Sequence, residues 1–220
     1  MRIWHMRLLY KISRTIAVLV LATIAGVSSW LFVYTGDLPE IDHLSKFAPK
    51  AQFPVFDSCL PSPSTAIPFE SIGKTFRDAL AIAEPAETLS DQIARTLMCN
   101  RRERAGRYHL NTFRLSWQIR RRFSEQQIFT IYVNRAYFGP GATGVESASR
   151  QFFRKGADTL NTEEAALLAG LLRAPEKFSP YKHPDRALQR RNRVLEAMAA
   201  EGKLSANDAV RAEATPVLTQ

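Results

Sequence analysis

The sequence predicts a mainly α-helical domain behind one N-terminal transmembrane helix. Residues 15–34 form a run of twenty positions without a charged side chain, and the apolar residues beyond position 70 recur at helical spacing. A chain of 220 residues allows one domain of ordinary size plus an appendage. The predicted organisation is a cytoplasmic tail (1–14), an anchor (15–34), a linker (35–66), the helical domain (67–214) and a tail (215–220).

The anchor is long enough to cross a hydrocarbon layer of about 30 Å as a helix. Basic residues precede it and acidic residues follow it, so the positive-inside rule leaves the N-terminus in the cytoplasm and exports the domain. A cleaved signal peptide is the alternative, but its apolar region spans only about 7–15 residues. Trp30, Phe32 and Tyr34 suit a membrane interface and favour a retained anchor.

The net charge of +9 is concentrated in residues 101–122, which hold eight arginines and a single acid, Glu103. In a soluble cytosolic protein this would indicate a nucleic-acid surface. On an exported domain it indicates lipid headgroups or pyrophosphate-linked precursors, so we expect no nucleic-acid partner. A solvated helix face with ion-pair partners remains the alternative.

Cysteine and histidine usage says little about a site. Cys59 and Cys99 both fall in the predicted exported part, where a disulfide is allowed. Nothing in the sequence shows that they are close, and two free buried thiols are equally compatible with it. The four histidines are scattered along the chain, so no metal-ligand cluster is predicted.

Helical spacing begins at Glu70 and continues with one interruption. The first apolar face holds Ile72, Phe76, Leu80 and Ala83. After Pro85 a second helix is marked by Leu89, Ile93 and Leu97. A third carries two neighbouring stripes, namely Leu110, Phe113, Trp117 and Arg121 beside Leu115, Ile119 and Phe123. No stretch alternates apolar and polar residues convincingly, so the exported domain is expected to be mainly α.

Capping residues define the remaining elements. Ser124 with Gln127 is a capping-box pattern that opens a helix through Asn134, and Asn161 with Glu164 opens another. The glycines and proline of residues 138–144 predict a loop. Residues 185–201 form a long helix ended by Gly202, and a last short helix starts at Ser205.

One segment carries a family resemblance. Residues 128–180 contain, in order, a Tyr-Val-Asn motif, a Tyr-Phe-Gly-x-Gly loop, Ala-Ser-x-x-Phe-Phe-x-Lys and Glu-Ala-Ala-Leu-Leu-Ala-Gly-Leu. In this order and spacing they resemble the second half of glycosyltransferase family 51, the bacterial peptidoglycan polymerases. The resemblance covers roughly residues 67 to 212 and is better in the second half.

The resemblance implies a lysozyme-like α-helical glycosyltransferase domain, here truncated. It implies polymerisation of lipid II by inverting glycosyl transfer during cell-wall synthesis, at the outer face of the bacterial inner membrane. The implied partners are lipid II, the glycan strand, the inner membrane and other cell-wall synthesis proteins. A divalent cation, Mg or Mn, is the one cofactor that the family suggests.

Carried over position by position, the resemblance implies a catalytic base and a set of substrate contacts. The base is Glu84, which would activate the acceptor hydroxyl. The substrate-binding residues are Thr88, Gln92, Asn134, Gly139, Gly141, Arg150 and Lys155. Ordinary structural roles compete with these, since Arg150 and Lys155 could be helix-surface cations and Asn134 a helix cap. Phe152 and Phe153 are expected in the core.

The first half departs from the family motifs. Pro85 stands where the family has an Asp after the base, and the segment of some 25 residues that follows is missing. Tyr108, His109 and Thr112 occupy the positions of two pyrophosphate-binding cations and a second acid. Losing charge stabilisers costs on the order of 10²–10³ each in rate, so polymerase activity is doubtful.

Two classes of function therefore remain open. One is an enzyme with Glu84 or Glu87 as base, in which the arginine-rich helix replaces the lost cations. The other is a binding or scaffold protein that holds a lipid-linked precursor, a glycan strand or a polymerase partner without chemistry.

Overall fold

The computed structural model describes residues 15–30, 38, 41, 44, 65–98 and 105–217. They fall into two compact units. The described part of the first is residues 15–30, Leu38 and 105–111, and that of the second is Ile41, Leu44, 65–98 and 112–217. Cys59, Cys99 and most of the predicted linker lie outside the described residues.

The first unit contains α1, residues 15–30, whose side chains are exposed, and the first turns of α4. Within the described part of the chain, none of the helices combines the length and the apolar character needed to cross a membrane. The last four positions of the predicted anchor, 31–34, are not among the described residues.

The prediction of a mainly helical domain is confirmed. Helices α2 to α5 are Lys74–Ala83, Ala86–Met98, Ala105–Arg122 (whose last turns, from residue 112, belong to the second unit) and Glu125–Arg135. Strands β1 and β2 are Tyr137–Gly139 and Ala142–Thr143. Helices α6 to α9 are Val145–Phe153, Thr162–Leu171, Pro184–Ala200 and Ala206–Glu213, and short 3-10 turns cover Phe69–Ser71 and Ala157–Thr159.

Helix α7 forms the centre of the second unit. Every residue from Ala165 to Leu171 is buried, and the helix packs against α2 and α8. Small residues allow this close approach: a Cβ at Gly170 would lie 3.1 Å from the Cγ of Arg190 on α8. The buried run is apolar all round, as expected for a helix surrounded by protein.

The predicted capping residues act as expected. The Ser124 hydroxyl accepts a hydrogen bond from the Gln127 N–H, and the Gln127 side-chain oxygen accepts one from the Ser124 N–H at 2.9 Å. Asn161 and Glu164 make the same reciprocal pair at the start of α7. Such caps contribute about 1 kcal/mol each. Gly202, at φ 67°, follows α8 where the sequence placed its end.

The prediction of an irregular loop over residues 138–144 is wrong in part. β1 and β2 form a small antiparallel hairpin, with Tyr137 opposite Thr143 and Gly139 opposite Ala142. Gly139 and Gly141 adopt φ of 140° and 80°, which other residues rarely reach. The glycines therefore turn the chain sharply enough for the flanking residues to pair.

One buried cation fastens the end of the domain. Arg191 on α8 is only 1% exposed. Its guanidinium donates to the carbonyl oxygens of Glu213 at 2.9 Å and Thr215 at 2.7 Å, just after α9, and also to the Asn192 side chain. A buried guanidinium is tolerated because these acceptors replace its hydration.

Candidate functional site

Glu84 ends α2 and lies beside two other helices. Its backbone N–H donates to Leu80 O at 2.8 Å, and the residue is only 5% exposed. Burial, and secondly the charge of Glu84, raise the pKa of Tyr132 on α5 above its ordinary range. The pKa of Arg190 on α8 is lowered, first by burial and then by Arg173, and the charge of Glu84 partly opposes this lowering. The carboxylate is therefore covered by protein, near a tyrosine and an arginine.

Lys155 lies near the opposite end of α2. The Gly73 N–H, just before α2, donates to Ala157 O at 3.4 Å, two residues beyond Lys155. Because the ten residues of α2 span about 15 Å, Glu84 and Lys155 are not neighbours. The Lys155 ammonium instead pairs with Glu164 Oε2 at 2.6 Å, at the start of α7.

Arg150 pairs with an acid of its own helix and still faces solvent. Its Nε donates to Glu146 Oε1 at 2.7 Å, and the other Glu146 oxygen accepts from the Ala157 N–H at 2.9 Å. The Arg150 side chain remains 67% exposed, whereas that of Glu146 is 7% exposed. A guanidinium has five N–H donors, so Glu146 does not exhaust those of Arg150.

Asn134 is buried, and its amide joins two distant parts of the chain. Its Oδ1 accepts from the Ile67 N–H at 3.0 Å, and its Nδ2 donates to Ile67 O at 2.8 Å. Both hydrogen bonds fix the segment that precedes α2 against α5. The amide thus has a structural role that neither a helix cap nor a substrate contact describes.

Thr88 and Gln92 lie one turn apart on α3, which packs against α5. The Thr88 hydroxyl donates to Pro85 O at 2.7 Å, at the start of the helix. Both side chains are half-buried. They share a helix face, while their roles as substrate contacts stay a prediction.

Gly139 and Gly141 hold the hairpin against α6. A Cβ at Gly139 would lie 3.9 Å from the Phe152 ring, and one at Gly141 would lie 3.1 Å from Gln151 Oε1. Gln151 also donates to Pro140 O at 2.9 Å. The predicted contacts Gly139, Gly141 and Arg150 are thus grouped at the hairpin and α6.

Two exposed features were not anticipated from sequence. Tyr137 on β1 donates to Glu176 Oε1 at 3.0 Å, and Lys182 donates to Glu176 Oε2 at 2.6 Å. Nearby, Phe152 is half-buried rather than in the core. Its ring stacks on that of Tyr181, with the ring centroids 5.5 Å apart and an interplanar angle of 19°. Phe153 is also half-buried. Contacts between residues so far apart in the sequence cannot be predicted from local sequence patterns.

Helix α4 exposes an aromatic and basic stripe. Phe113 is 64% and Trp117 49% exposed, and the Arg121 guanidinium lies 4.7 Å from the Trp117 ring centroid. The opposite side of the helix, with Leu115 and Ile119, is buried. The stripe is therefore an outward surface of the second unit.

The family's divalent cation does not fit the described residues. Magnesium and its like prefer several oxygen ligands, above all carboxylates. Among the described residues no group of three or more His, Cys, Asp or Glu could hold a metal. The described residues therefore offer no cluster of carboxylates that would hold such an ion.

Comparison with known proteins decides the family. Residues 64–199 match the Transglycosylase family model, which is more than half of the chain. The chain belongs to the transglycosylase family. This confirms the predicted membership in the peptidoglycan glycosyltransferases of family 51. The match begins close to the predicted start of the domain at residue 67.

Several curated proteins are similar to this chain over the same region. Penicillin-binding protein 1A of Aquifex aeolicus is 41% identical over 124 residues, which are 56% of this chain and 17% of that protein. A putative transglycosylase of Cupriavidus necator is 35% identical over 56% of this chain and 53% of that protein. The chain thus spans less than a fifth of the first relative and about half of the second.

Among solved structures, penicillin-binding protein 1A from Haemophilus influenzae has a TM-score of 0.49 at 21% identity. The likeness covers 70% of this chain and 18% of that one. The family assignment rests on the sequence match.

Proposed function

We propose that this transglycosylase-family chain acts in bacterial cell-wall synthesis by holding lipid II or a glycan strand at the outer face of the inner membrane without polymerising it. The observation that carries the proposal is the burial of Glu84. A general base must come within hydrogen-bond reach of the proton that it removes. At 5% exposure, with Tyr132 and Arg190 as electrostatic neighbours, Glu84 offers little surface to an acceptor sugar.

Loss of the leaving-group cations supports the same proposal. The two basic positions of the family's Arg-Lys motif hold Tyr108 and His109 in this chain, and the position of the motif's acid holds Thr112. Preorganised charge of this kind is worth on the order of 10²–10³ in rate for each donor. An inaccessible base combined with these losses leaves little turnover.

Binding can survive where catalysis does not. Arg150 is exposed beside the glycine hairpin and keeps donors beyond those that Glu146 uses. The Arg150 side chain is 67% exposed, so a phosphate can bind its remaining donors without displacing Glu146. The hairpin and α6 therefore provide a contact for a lipid-linked phosphate.

The proposed location at the membrane has two supports. The first is the apolar run of residues 15–34, flanked by basic residues before it and acidic residues after it. The second is the exposed stripe of Phe113, Trp117 and Arg121. Aromatic rings beside basic side chains suit the interface of an anionic membrane.

Residual polymerisation is the second candidate function. The position of Glu84, at the end of a helix that matches the family's, favours it, and Glu87 begins the next helix nearby. In this alternative the arginine-rich segment would supply the charge that stabilises the leaving pyrophosphate.

Labelled lipid II distinguishes the candidates. The full chain, purified in a mild detergent, is expected to bind lipid II and release no polymer, and Glu84→Gln is expected to bind equally well. Arg150→Ala should weaken binding, while the matched control Arg211→Ala, an exposed arginine paired with Asp208 on α9, should not. Polymer formed by the wild type and abolished by Glu84→Gln would establish the enzyme instead.

A further inference from the structure

We infer that the outer face of Tyr181, together with the polar cluster of Tyr137, Glu176 and Lys182, binds a sugar ring of a glycan. This second contact deepens the proposed function and rests on it for the choice of a glycan as the ligand. It lies at the hairpin and the segment before α8, and it uses neither Glu84 nor a phosphate.

The aromatic part of this surface is preformed. One face of the Tyr181 ring stacks on the Phe152 ring; the two rings are nearly parallel and their centroids are 5.5 Å apart. Tyr181 is nevertheless 58% exposed. Phe152 is in turn placed against Gly139 of the hairpin. A ring fixed from behind loses little conformational freedom on binding, and a flat ligand can stack on its open face.

The polar part adjoins the ring and has no net charge. Lys182 follows Tyr181 directly, and its ammonium donates to Glu176 at 2.6 Å. Glu176 also accepts from the Tyr137 hydroxyl at 3.0 Å. Tyr137 precedes Gly139 by two residues on β1, a rise of about 7 Å. The cluster and the stacked rings therefore belong to one patch.

The chemistry of the patch selects an uncharged, hydroxyl-rich ligand. The ammonium has three donors, the carboxylate about four acceptor sites and the phenol both kinds, so hydroxyl groups can be met as donors and as acceptors. Because the charge of Glu176 offsets that of Lys182, the cluster carries no excess positive charge that would attract a polyanion. A pyranose ring combines a flat C–H face for the tyrosine with hydroxyls at its edge.

The test uses a soluble N-acetylglucosamine oligosaccharide and the full chain in detergent, with binding followed by calorimetry. Tyr181→Ala is expected to weaken binding about tenfold, which corresponds to ~1.4 kcal/mol. Tyr181→Phe, which keeps the ring, should stay within about twofold of the wild type, because stacking depends on the ring face. Lys182→Met should also weaken binding, because it removes the ammonium from the polar cluster while the Tyr181 ring stays in place.

The matched control is Phe113→Ala, which removes an equally exposed aromatic ring from α4. Equal weakening by Tyr181→Ala and Phe113→Ala, or none by Tyr181→Ala, would overturn the inference, as would absence of binding to the wild type. Circular dichroism confirms that each variant is folded.

The outcome separates this inference from the proposed function. Lipid II binding that fails while oligosaccharide binding depends on Tyr181 would remove lipid II from the proposed function and leave the sugar contact. Lipid II binding that persists while the oligosaccharide does not bind would do the reverse.

Discussion

Replacing Asn134 by alanine tests whether its amide builds the fold. The side chain is fully buried, and it makes two hydrogen bonds to Ile67, at 3.0 Å and 2.8 Å. Each contributes about 0.5–1.5 kcal/mol, and a buried partner left unsatisfied costs about 1–3 kcal/mol. Since Ile67 would lose both partners while only half-buried, we expect a loss of ~2–4 kcal/mol in the free energy of unfolding.

The assay is urea unfolding of the full chain in detergent, followed by circular dichroism. Asn161→Ala is the control, since it removes only an exposed N-cap and should cost about 1 kcal/mol. Lipid II binding by the folded Asn134→Ala variant should match the wild type. A loss below about 0.5 kcal/mol, within the range of ordinary surface substitutions, would refute the structural role, and weakened lipid II binding at unchanged stability would assign Asn134 to the substrate.

Three further predictions concern other parts of the domain. Because the pKa of Tyr132 is raised in the folded state, only the unfolded chain loses that proton as the pH rises above about 10; stability should therefore fall above this pH, and less steeply in Tyr132→Phe, which alkaline unfolding curves would show. Gly139→Ala places a Cβ at φ 140° and should lower the free energy of unfolding by about 1–3 kcal/mol, and an unchanged urea midpoint would contradict this. Trp117→Ala should reduce sedimentation of the full chain with anionic vesicles, and Trp117→Phe should restore part of it; equal sedimentation of all three proteins would exclude this surface from membrane contact.

Local chemistry explains which parts of the fold could be predicted from sequence. The capping box of Ser124 depends on a residue three positions away, and the end of α8 depends on a glycine two positions beyond it. Such signals act within one helical turn, so a single sequence displays them. The family motifs added the membership that the comparison confirmed.

Contacts between distant segments could not be predicted in this way. Asn134 and Ile67 are 67 positions apart, and Tyr137 and Glu176 are 39 apart. The two short strands arise because the glycine turn returns the chain onto itself beside α6, and strands of two or three residues have no periodicity to detect. The surroundings of Glu84 depend on Arg190 on α8, which no motif connects with the end of α2.

The Arg191 clamp makes the last two helices thermodynamically dependent on each other. If α9 separated from α8, the guanidinium would lose the hydrogen bonds that it donates to the carbonyl oxygens of Glu213 and Thr215, and hydrogen bonds from a charged donor are among the stronger ones. Fraying from this end should therefore be suppressed. Amide protons of α8 and α9 should exchange with solvent in a single concerted opening rather than one helix after the other.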